Sequence, residues 1–363
     1  MTGASDVDSA SWRADIMSEM KKKVSIIIPC YNAENVIDRT IECLVNQTIG
    51  IDDLLLIFVD DASSDATVDR IKVWEEKYPE SVLIVTLEEN GRQGRARNIG
   101  LGYADSEYIG FADDDDLMHP KMFEILYEQA QKSQAEVVVA KSKAGSLEEL
   151  SELGLMSKEY SLDEINGNLL EYDSTNRDEF FKINTAIWNK LYRSDFIAEN
   201  NLSFLEGMIY DDVFFTGLLK ATAKRVLFID EVLYYHVSGG VSINGRTKEM
   251  TLGYIEAHIC LVDAIQSRNL FNDHWQYYLR RIMISYYSCL RAYIVQYQQF
   301  PMLEIWNAIK SAIISLFPNL EGILPILIEE EPEPDKTIFE SLIEEIDENY
   351  LNRLVDTIAK YPL

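Results

Sequence analysis

Two clusters of aspartates are the residues of this sequence best suited to chemistry. Asp60 and Asp61 directly follow one apolar segment, and an unbroken run, Asp113–Asp116, follows another. Carboxylates brought this close together would repel one another unless a cation neutralised them. Oxygen ligands of this kind select hard divalent cations such as Mg²⁺ or Mn²⁺. The clusters therefore predict a metal site, although an Asp run taken by itself is more typical of a solvated turn.

A Gly-rich segment, Gly91–Gly102, carries three arginines in an otherwise acidic chain. It lacks the Gly-Lys-Ser/Thr of a P-loop and the Gly-x-Gly-x-x-Gly of dinucleotide-binding proteins, so neither phosphate chemistry is indicated. An arginine fork suits diphosphate or sugar oxygens. For Arg92 and Arg95, a salt bridge to a neighbouring acid explains the sequence equally well.

The apolar segments in front of the aspartates predict the elements that position them. Val24–Ile28 and Leu54–Val59 are typical of strands buried on both faces. Apolar residues at helical spacing lie between them, and the alternation continues to a strand over 108–112. This pattern predicts an α/β fold with a parallel sheet flanked by helices. Ligands of such sheets bind beyond the carboxyl ends of the strands, so we expect both clusters in one crevice.

The later part of the chain has a different character. Residues 142–180 are polar and weakly periodic, which predicts a long excursion over the active face. From residue 251 onward the pattern is helical. An aromatic-rich stripe recurs at near-helical spacing, and we expect its residues to lie in the core or in an oligomer interface. The stripe comprises Trp275, Tyr278, Ile282, Tyr286 and Tyr293.

Composition excludes several classes of protein. The 363 residues carry 33 Lys plus Arg against 61 Asp plus Glu, a formal net charge of -28, which repels phosphate backbones and excludes a protein that coats nucleic acid. No apolar segment is long enough to cross a bilayer and no signal peptide is recognisable, so we expect a cytoplasmic protein. The four cysteines are far apart, which predicts a reducing compartment and no structural zinc.

Four ordered segments resemble the motifs of family 2 glycosyltransferases with the GT-A fold, of the type that builds bacterial glycans and cell surfaces. They are Val24–Asn32, Phe58–Asp65, Asn90–Gly100 and Glu107–Asp116. Trp188–Tyr192 and Glu206–Phe215 resemble the acceptor-side segments of the same family. The resemblance implies a Rossmann-like, mostly parallel sheet over residues 23–245. A flexible leader (1–22) is expected before it, and a helical region (246–363), serving acceptor, partner or oligomerisation, after it.

The resemblance also implies a function in polysaccharide biosynthesis. The family's inverting members move a sugar from a nucleoside-diphosphate donor, here expected to be a UDP-sugar, to a hydroxyl of a glycan, polyol-phosphate polymer or glycoprotein. A divalent metal, Mn²⁺ or Mg²⁺, is expected on the diphosphate. The helical region is expected to support a homo-oligomer.

Carried over residue by residue, the family pattern assigns a donor side. Pro29, Tyr31 and Asp61 would cradle the uridine, with the Tyr31 ring against the base; the alternative for Tyr31 is a packing aromatic. Asn90 and Arg97 are the residues that the resemblance marks in the Gly-rich segment. Their assigned role is also donor binding.

The Asp113-x-Asp115 pattern matches the family's DXD metal motif. Asp115 would be the direct ligand of the metal, Asp113 a further ligand that also contacts the donor, and Asp114 would lie nearer the ribose or sugar. His236 would be a third ligand or a diphosphate contact. The alternative for His236 is a hydrogen-bonded structural residue.

On the acceptor side, Asp212 matches the second acid of the family's Glu-Asp pair and would be the general base, while Asp211 takes the place of the Glu. A base on the face opposite the leaving group is what an inverting transfer needs. Trp188 and Lys190 would also face the acceptor. The alternative for Asp212, compatible with the base role, is a cap on a helix beginning at Val213.

Two other functions are open from the sequence. A nucleotidyltransferase also needs acids and a metal, but usually carries a Gly-rich basic loop directly after its first strand, where this chain has Pro29–Asn32. A carbohydrate-binding protein that kept the fold and lost the activity is the non-enzymatic alternative.

Overall fold

The computed structural model describes residues 22–173, 175–238, 248–270, 277–282 and 302–317, with scattered helical residues between 320 and 353. The chain divides into two compact units, Met1–Ser242 and Ile243–Leu363. Residues 1–21 of the predicted leader lie outside the described residues. The roles predicted for the three parts of the chain stay predictions.

One sheet organises the first unit. Its strands are β1 Val24–Cys30, β2 Leu54–Asp60, β3 Val82–Thr86, β4 Tyr108–Phe111, β5 Leu117–Met118, β6 Val137–Gly145, β7 Gly167–Glu171, β8 Lys190–Arg193 and β9 Arg225–Val237. Within the described residues they lie in the order β3-β2-β1-β4-β8-β6-β9-β5, and β7 pairs with β9.

The strands that carry the aspartate clusters are parallel neighbours. Val24 of β1 is paired with Leu54 of β2 on one side and with Tyr108 of β4 on the other. Every residue of β1 and β2 is buried, as their apolar runs predict. The prediction of an α/β, GT-A-type fold is confirmed.

Antiparallel pairing enters beyond β4, where β8 runs antiparallel to both β4 and β6. β5 and β7 are also antiparallel to β9, whereas β6 and β9 are parallel. Parallel neighbours need a crossover connection, usually a helix. The sequence pattern predicts strands and helices but not which strands become neighbours, so it does not specify the direction of the later strands.

Helices connect and cover the strands of this unit. They are α1 Ile37–Val45, α2 Thr67–Lys77, α3 Arg92–Tyr103, α4 Met122–Ser133, α5 Leu147–Glu152, α6 Arg177–Phe180, α7 Ser194–Glu199 and α8 Asp211–Thr222. In α1 the apolar residues at helical spacing, Ile37, Ile41 and Leu44, are fully buried. Short 3-10 turns at Ile51–Asp53 and Leu155–Ser157 complete the connections.

The Gly-rich segment forms helix α3, an element that its sequence pattern does not indicate. Glycine inside a helix is usually unfavourable. Here a Cβ at Gly94 would lie 2.0 Å from the carbonyl oxygen of Leu205, and one at Gly100 would lie 2.4 Å from Cγ2 of Ile27. These glycines therefore serve close packing of the helix rather than a phosphate loop.

The second unit is helical where it is described, which confirms the predicted helical C-terminal region. It contains α9 Lys248–Ser267 and α10 Met302–Leu316, and residues 277–282 are also helical. Tyr278 and Ile282 of the predicted stripe are buried, while Trp275, Tyr286 and Tyr293 lie outside the described residues. Among the described residues, no helix is both long and apolar enough to span a bilayer.

Candidate active site

The structure brings the two aspartate clusters together at the carboxyl edge of the parallel strands. Tyr31 follows β1, Asp61 follows β2, and the Asp113–Asp116 run comes just after β4. The backbone N–H of Tyr31 donates to Oδ2 of Asp114 at 3.2 Å, and the N–H of Asp61 donates to the carbonyl of Cys30 at 2.8 Å. The loops after the three strands thus lie together at one edge of the sheet.

The proposed uridine side combines a buried acid with an exposed ring. Asp61 is 3% exposed, and its Oδ1 accepts the Gly91 N–H at 2.8 Å. The Asn90 side chain donates to the Asp61 carbonyl at 3.2 Å, and Pro29 is buried within β1. Tyr31 is 52% exposed, which favours the stacking role over that of a packing aromatic. An exposed aromatic ring and a fixed carboxylate on neighbouring loops suit stacking and hydrogen bonding of a nucleobase.

The four consecutive aspartates have different partners. Asp113 accepts Nη2 of Arg97 at 3.0 Å, and Asp114 accepts the Tyr31 N–H. Asp116 is fully buried and accepts the Val237 N–H at 2.8 Å. Asp115 receives no hydrogen bond on its carboxylate from another described residue. Among the four aspartates, Asp115 therefore has the carboxylate oxygens most available to a metal ion.

The backbone of this run is held by α1, in contacts that the sequence does not reveal. Nη2 of Arg39 donates to the Asp115 carbonyl at 2.6 Å. The hydroxyl of Thr40 lies within hydrogen-bond distance of the carbonyls of Asp114 and Asp116. Neither residue is marked by a motif, because only the tertiary structure brings α1 against this loop.

The electrostatics of the run favour a cation. Burial raises the pKa of Asp113 to about 6, with Arg97 opposing the shift and the neighbouring Asp116 and Asp115 adding to it. Burial and the charge of Asp115 raise the pKa of Asp114 to about 7. The pKa of Asp115 is raised by burial and by Asp116. Each pKa is raised mainly by burial and further by the neighbouring aspartates, so a cation bound beside these carboxylates would favour their ionised forms.

The donor set fits Mg²⁺ or Mn²⁺ held jointly with a substrate. No group of three or more His, Cys, Asp or Glu arranged to hold a metal occurs in the described part of the chain. Mg²⁺ is usually bound through one or two carboxylates plus substrate phosphates, rather than by a complete protein cage. Asp115, with Asp113 beside it, is consistent with that mode of binding.

His236 lies against Asp116 rather than against the predicted ligands Asp113 and Asp115. Its Nδ1 is 3.1 Å from Oδ1 of Asp116, and that hydrogen bond is the main cause that raises the pKa of His236 to about 8. Trp188 stacks with His236 at 5.9 Å and with Tyr234 at 4.3 Å between ring centroids. The structural alternative for His236 has direct support in these contacts, and its metal role stays a prediction.

Helix α8 carries Asp211 and Asp212, the two acids predicted to face the acceptor. It begins at Asp211 with Tyr210 at the N-cap position, so both acids lie in its first turn and the interpretation of Asp212 as the cap is wrong. Oδ1 of Asp212 accepts the Val213 N–H at 2.9 Å. Burial and the neighbouring Asp211 raise the pKa of Asp212 to about 6, with Arg97 opposing the shift. A carboxylate with a pKa in this range can exchange a proton near neutral pH.

Lys190 is an internal residue in this structure. It is fully buried, and its amine donates to Oδ1 of Asn189 at 2.9 Å and also to Asn184 and the Ala186 carbonyl. Burial, with Lys220 adding to the effect, lowers the pKa of Lys190 well below its usual value. Through these hydrogen bonds Lys190 stabilises the loop over residues 184–189.

Residues 25–189 match the family model described as glycosyl transferase family 2. The match begins in β1 and takes in both aspartate clusters. These residues form a family 2 glycosyltransferase domain. Asp211, Asp212 and His236 lie beyond the matched residues, so their roles do not follow from this match.

Relatives of the glycosyltransferase domain include enzymes with different acceptors in their names. The cholesterol galactosyltransferase of Borreliella burgdorferi is 25% identical over 317 residues and covers 84% of this chain and of its own. The poly(ribitol-phosphate) beta-N-acetylglucosaminyltransferase TarP of Staphylococcus aureus is 28% identical over 239 residues, or 62% of this chain and 68% of TarP.

A solved structure confirms the fold. S. aureus TarS 1-349 superposes with a TM-score of 0.68 at 18% identity, covering 93% of this chain and 91% of TarS. Its complex with UDP-GlcNAc gives a TM-score of 0.61 at 18% identity, covering 88% of this chain and 91% of TarS. At this level of identity the likeness concerns the fold alone.

Proposed function

We propose that this glycosyltransferase is an inverting enzyme that moves a sugar from a UDP-linked donor to a hydroxyl of a glycan, polyol-phosphate polymer or glycoprotein. The proposal rests on one observation: a single arginine connects the acids of the donor side with those of the acceptor side. Arg97 contacts Asp113 on the donor side and Asp211, the neighbour of Asp212, on the other. A donor site and a candidate base therefore border the same crevice.

The choice of donor rests on the exposed Tyr31 ring, the buried Asp61 and a relative. S. aureus TarS has been solved with UDP-GlcNAc, and S. aureus TarP is named for transfer to poly(ribitol-phosphate). We extend the uridine donor to this chain because Tyr31 and Asp61 offer a stacking face and an acceptor for a base N–H. The polymer acceptor is proposed by the same analogy.

In the proposed step, Asp212 accepts the proton of the acceptor hydroxyl as that oxygen bonds to the anomeric carbon of the donor. The bond between this carbon and the diphosphate oxygen breaks, and its electron pair leaves with UDP. Attack from the face opposite the leaving group inverts the anomeric configuration. Oδ1 of Asp212 accepts the Val213 N–H, and the other carboxylate oxygen would take the proton.

Asp113 and Asp115 would hold a divalent cation, Mn²⁺ or Mg²⁺, together with diphosphate oxygens. When bound, such a cation neutralises the charge that develops on the departing UDP. Tyr31 and Asp61 hold the nucleoside, and Arg39 and Thr40 hold the loop that carries Asp115. The cytoplasmic location and the homo-oligomer stay predictions.

A panel of nucleotide-sugars with Mn²⁺ and candidate acceptors, with release of nucleoside diphosphate as the readout, tests this function. We expect a UDP-sugar to be turned over, and we expect Asp212→Asn to abolish transfer while leaving UDP binding intact. Release of pyrophosphate would indicate a nucleotidyltransferase instead. Donor binding without turnover of any sugar would indicate a carbohydrate-binding protein.

A further inference from the structure

Arg97 bridges two carboxylates that come from separate parts of the first unit. Its Nη1 donates to Oδ2 of Asp211 at 2.6 Å, and its Nη2 donates to Oδ1 of Asp113 at 3.0 Å. Asp113 follows β4, and Asp211 begins α8. A planar guanidinium can hold two carboxylates at fixed directions, which a point charge such as an ammonium cannot do equally well.

The position of Arg97 leaves little room for a direct contact with the donor. Its side chain is 4% exposed, and the Phe204 ring lies 5.6 Å from the guanidinium carbon. Both terminal nitrogens are engaged by protein carboxylates. Arg92, by contrast, lies on the same helix with an exposed side chain.

The helix that carries Arg97 is fastened to the segment that leads into α8. The Asn98 side chain donates to the Phe204 carbonyl at 3.0 Å and accepts the Phe204 N–H at 2.8 Å. One turn earlier, Gly94 lies so close to this segment that a Cβ there would be 2.0 Å from the Leu205 carbonyl oxygen and 3.0 Å from Cβ of Asp211. The contacts restrict where the first turn of α8 can lie.

We propose that Arg97 is a positioning residue that fixes Asp211 and Asp113 relative to each other, and thereby sets the place of the base Asp212 with respect to the donor. This inference rests on the proposed function, because it concerns the same site. It assigns Arg97 a role that acts through Asp211 and Asp113, rather than the direct donor contact that the family pattern predicts.

The bridge also affects the charge of Asp212. Burial is the main cause of the raised pKa of Asp212; the charge of Asp211 raises it further and the charge of Arg97 lowers it. Lys190 is a third ionisable group that interacts with Asp212. Removal of Arg97 and removal of the Asp211 charge should therefore move the pKa of Asp212 in opposite directions.

The test compares Arg97→Lys, Arg97→Met and Asp211→Asn in the full-length chain. Arg70→Lys is the matched control, because Arg70 of α2 makes a half-exposed ion pair at 2.6 Å with Asp38 of α1. Each variant is measured for kcat, donor KM, UDP affinity by calorimetry with Mn²⁺, thermal unfolding, and the pH dependence of kcat. The wild type is first tested with the nucleotide-sugar panel.

We expect Arg97→Lys to lower kcat at least about tenfold while UDP affinity changes less than about threefold, and Arg97→Met to lower kcat further. The pH below which kcat falls, the acid limb of the profile, should be higher in Arg97→Met and lower in Asp211→Asn than in the wild type. Arg70→Lys should match the wild type. Opposite movements of the limb would not follow from a general loss of packing.

A loss of UDP affinity in Arg97→Lys with kcat unchanged would overturn the inference and make Arg97 a donor ligand. If the Arg97 variants fail to fold, Asp211→Asn still tests the inference, because Asn can accept the hydrogen bond of Arg97 but carries no charge. A wild-type kcat and a wild-type pH profile in Asp211→Asn would overturn the inference. A wild type that turns over no donor would instead overturn the proposed function.

Discussion

The backbone N–H of Tyr31 donates to Oδ2 of Asp114 at 3.2 Å, which joins the proposed nucleoside side of the site to the proposed metal motif. Tyr31 presents its ring to solvent while its backbone holds an aspartate of the Asp113–Asp116 run. The end of β1 and the loop after β4 are thereby fixed to each other. Binding of a base at Tyr31 and of a diphosphate at Asp115 would then occur on one preorganised edge.

Replacement of Tyr31 by alanine should weaken UDP binding because it removes the stacking face. A stacking aromatic contributes about 1–3 kcal/mol per base, so the Kd should rise about 5- to 150-fold. Titration calorimetry with UDP measures the change. Tyr31→Phe is the control, since it keeps the ring, and it should bind UDP nearly as tightly as the wild type. Equal affinity in Tyr31→Ala would exclude stacking at this position.

Asp115→Asn should remove the stimulation of UDP binding by Mn²⁺. The amide has the shape of the carboxylate but lacks the negative charge that strengthens binding of a divalent cation. UDP titrations with Mn²⁺ and with EDTA give the metal dependence directly. Asp69→Asn, which changes an exposed aspartate on α2, is the matched control and should keep the wild-type dependence. A preserved Mn²⁺ effect in Asp115→Asn would remove Asp115 from the metal site.

The rate of transfer should fall as the pH is lowered through the pKa of Asp212, which burial and Asp211 raise to about 6. The base must be ionised to accept a proton, so activity is present above this pKa and lost below it. The measurement is kcat against pH with donor and Mn²⁺ saturating at every point, so that titration of the metal motif does not contribute. A kcat that is constant between about pH 5 and 8 would contradict Asp212 as the base.

Gly94→Ala should destabilise the first unit, because its Cβ would lie 2.0 Å from the Leu205 carbonyl oxygen. Overpacking against backbone costs about 1–3 kcal/mol, and urea unfolding should show a loss of that size. Gly102→Ala on the same helix is the control, since a Cβ there meets nothing within 4 Å. Its free energy of unfolding should change by less than about 1 kcal/mol. Equal stability of the two variants would show that α3 does not need the close approach at Gly94.

The strands beneath the site could be predicted because their signal is local. β1 and β2 are continuous apolar runs, and strands buried on both faces require such runs. The order of these strands along the chain placed Asp61 and the Asp113–Asp116 run at one edge of a parallel sheet. Helix α3 (Arg92–Tyr103) could not be predicted in the same way, since its glycines Gly94 and Gly100 serve contacts with Leu205 and Ile27, which are distant in sequence.

The sequence by itself predicted an α/β fold with its principal aspartates at one edge of a parallel sheet, because apolar periodicity and strand-end position are properties of short segments. Its resemblance to family 2 glycosyltransferases rested on the ordered motifs instead. Only the tertiary structure decided how those acids are held. Arg97 pairs with Asp113 and Asp211, Arg39 holds the Asp115 carbonyl, and His236 lies against Asp116. Each contact joins residues from different elements, and its energy depends on distance and burial, which no spacing along the chain specifies.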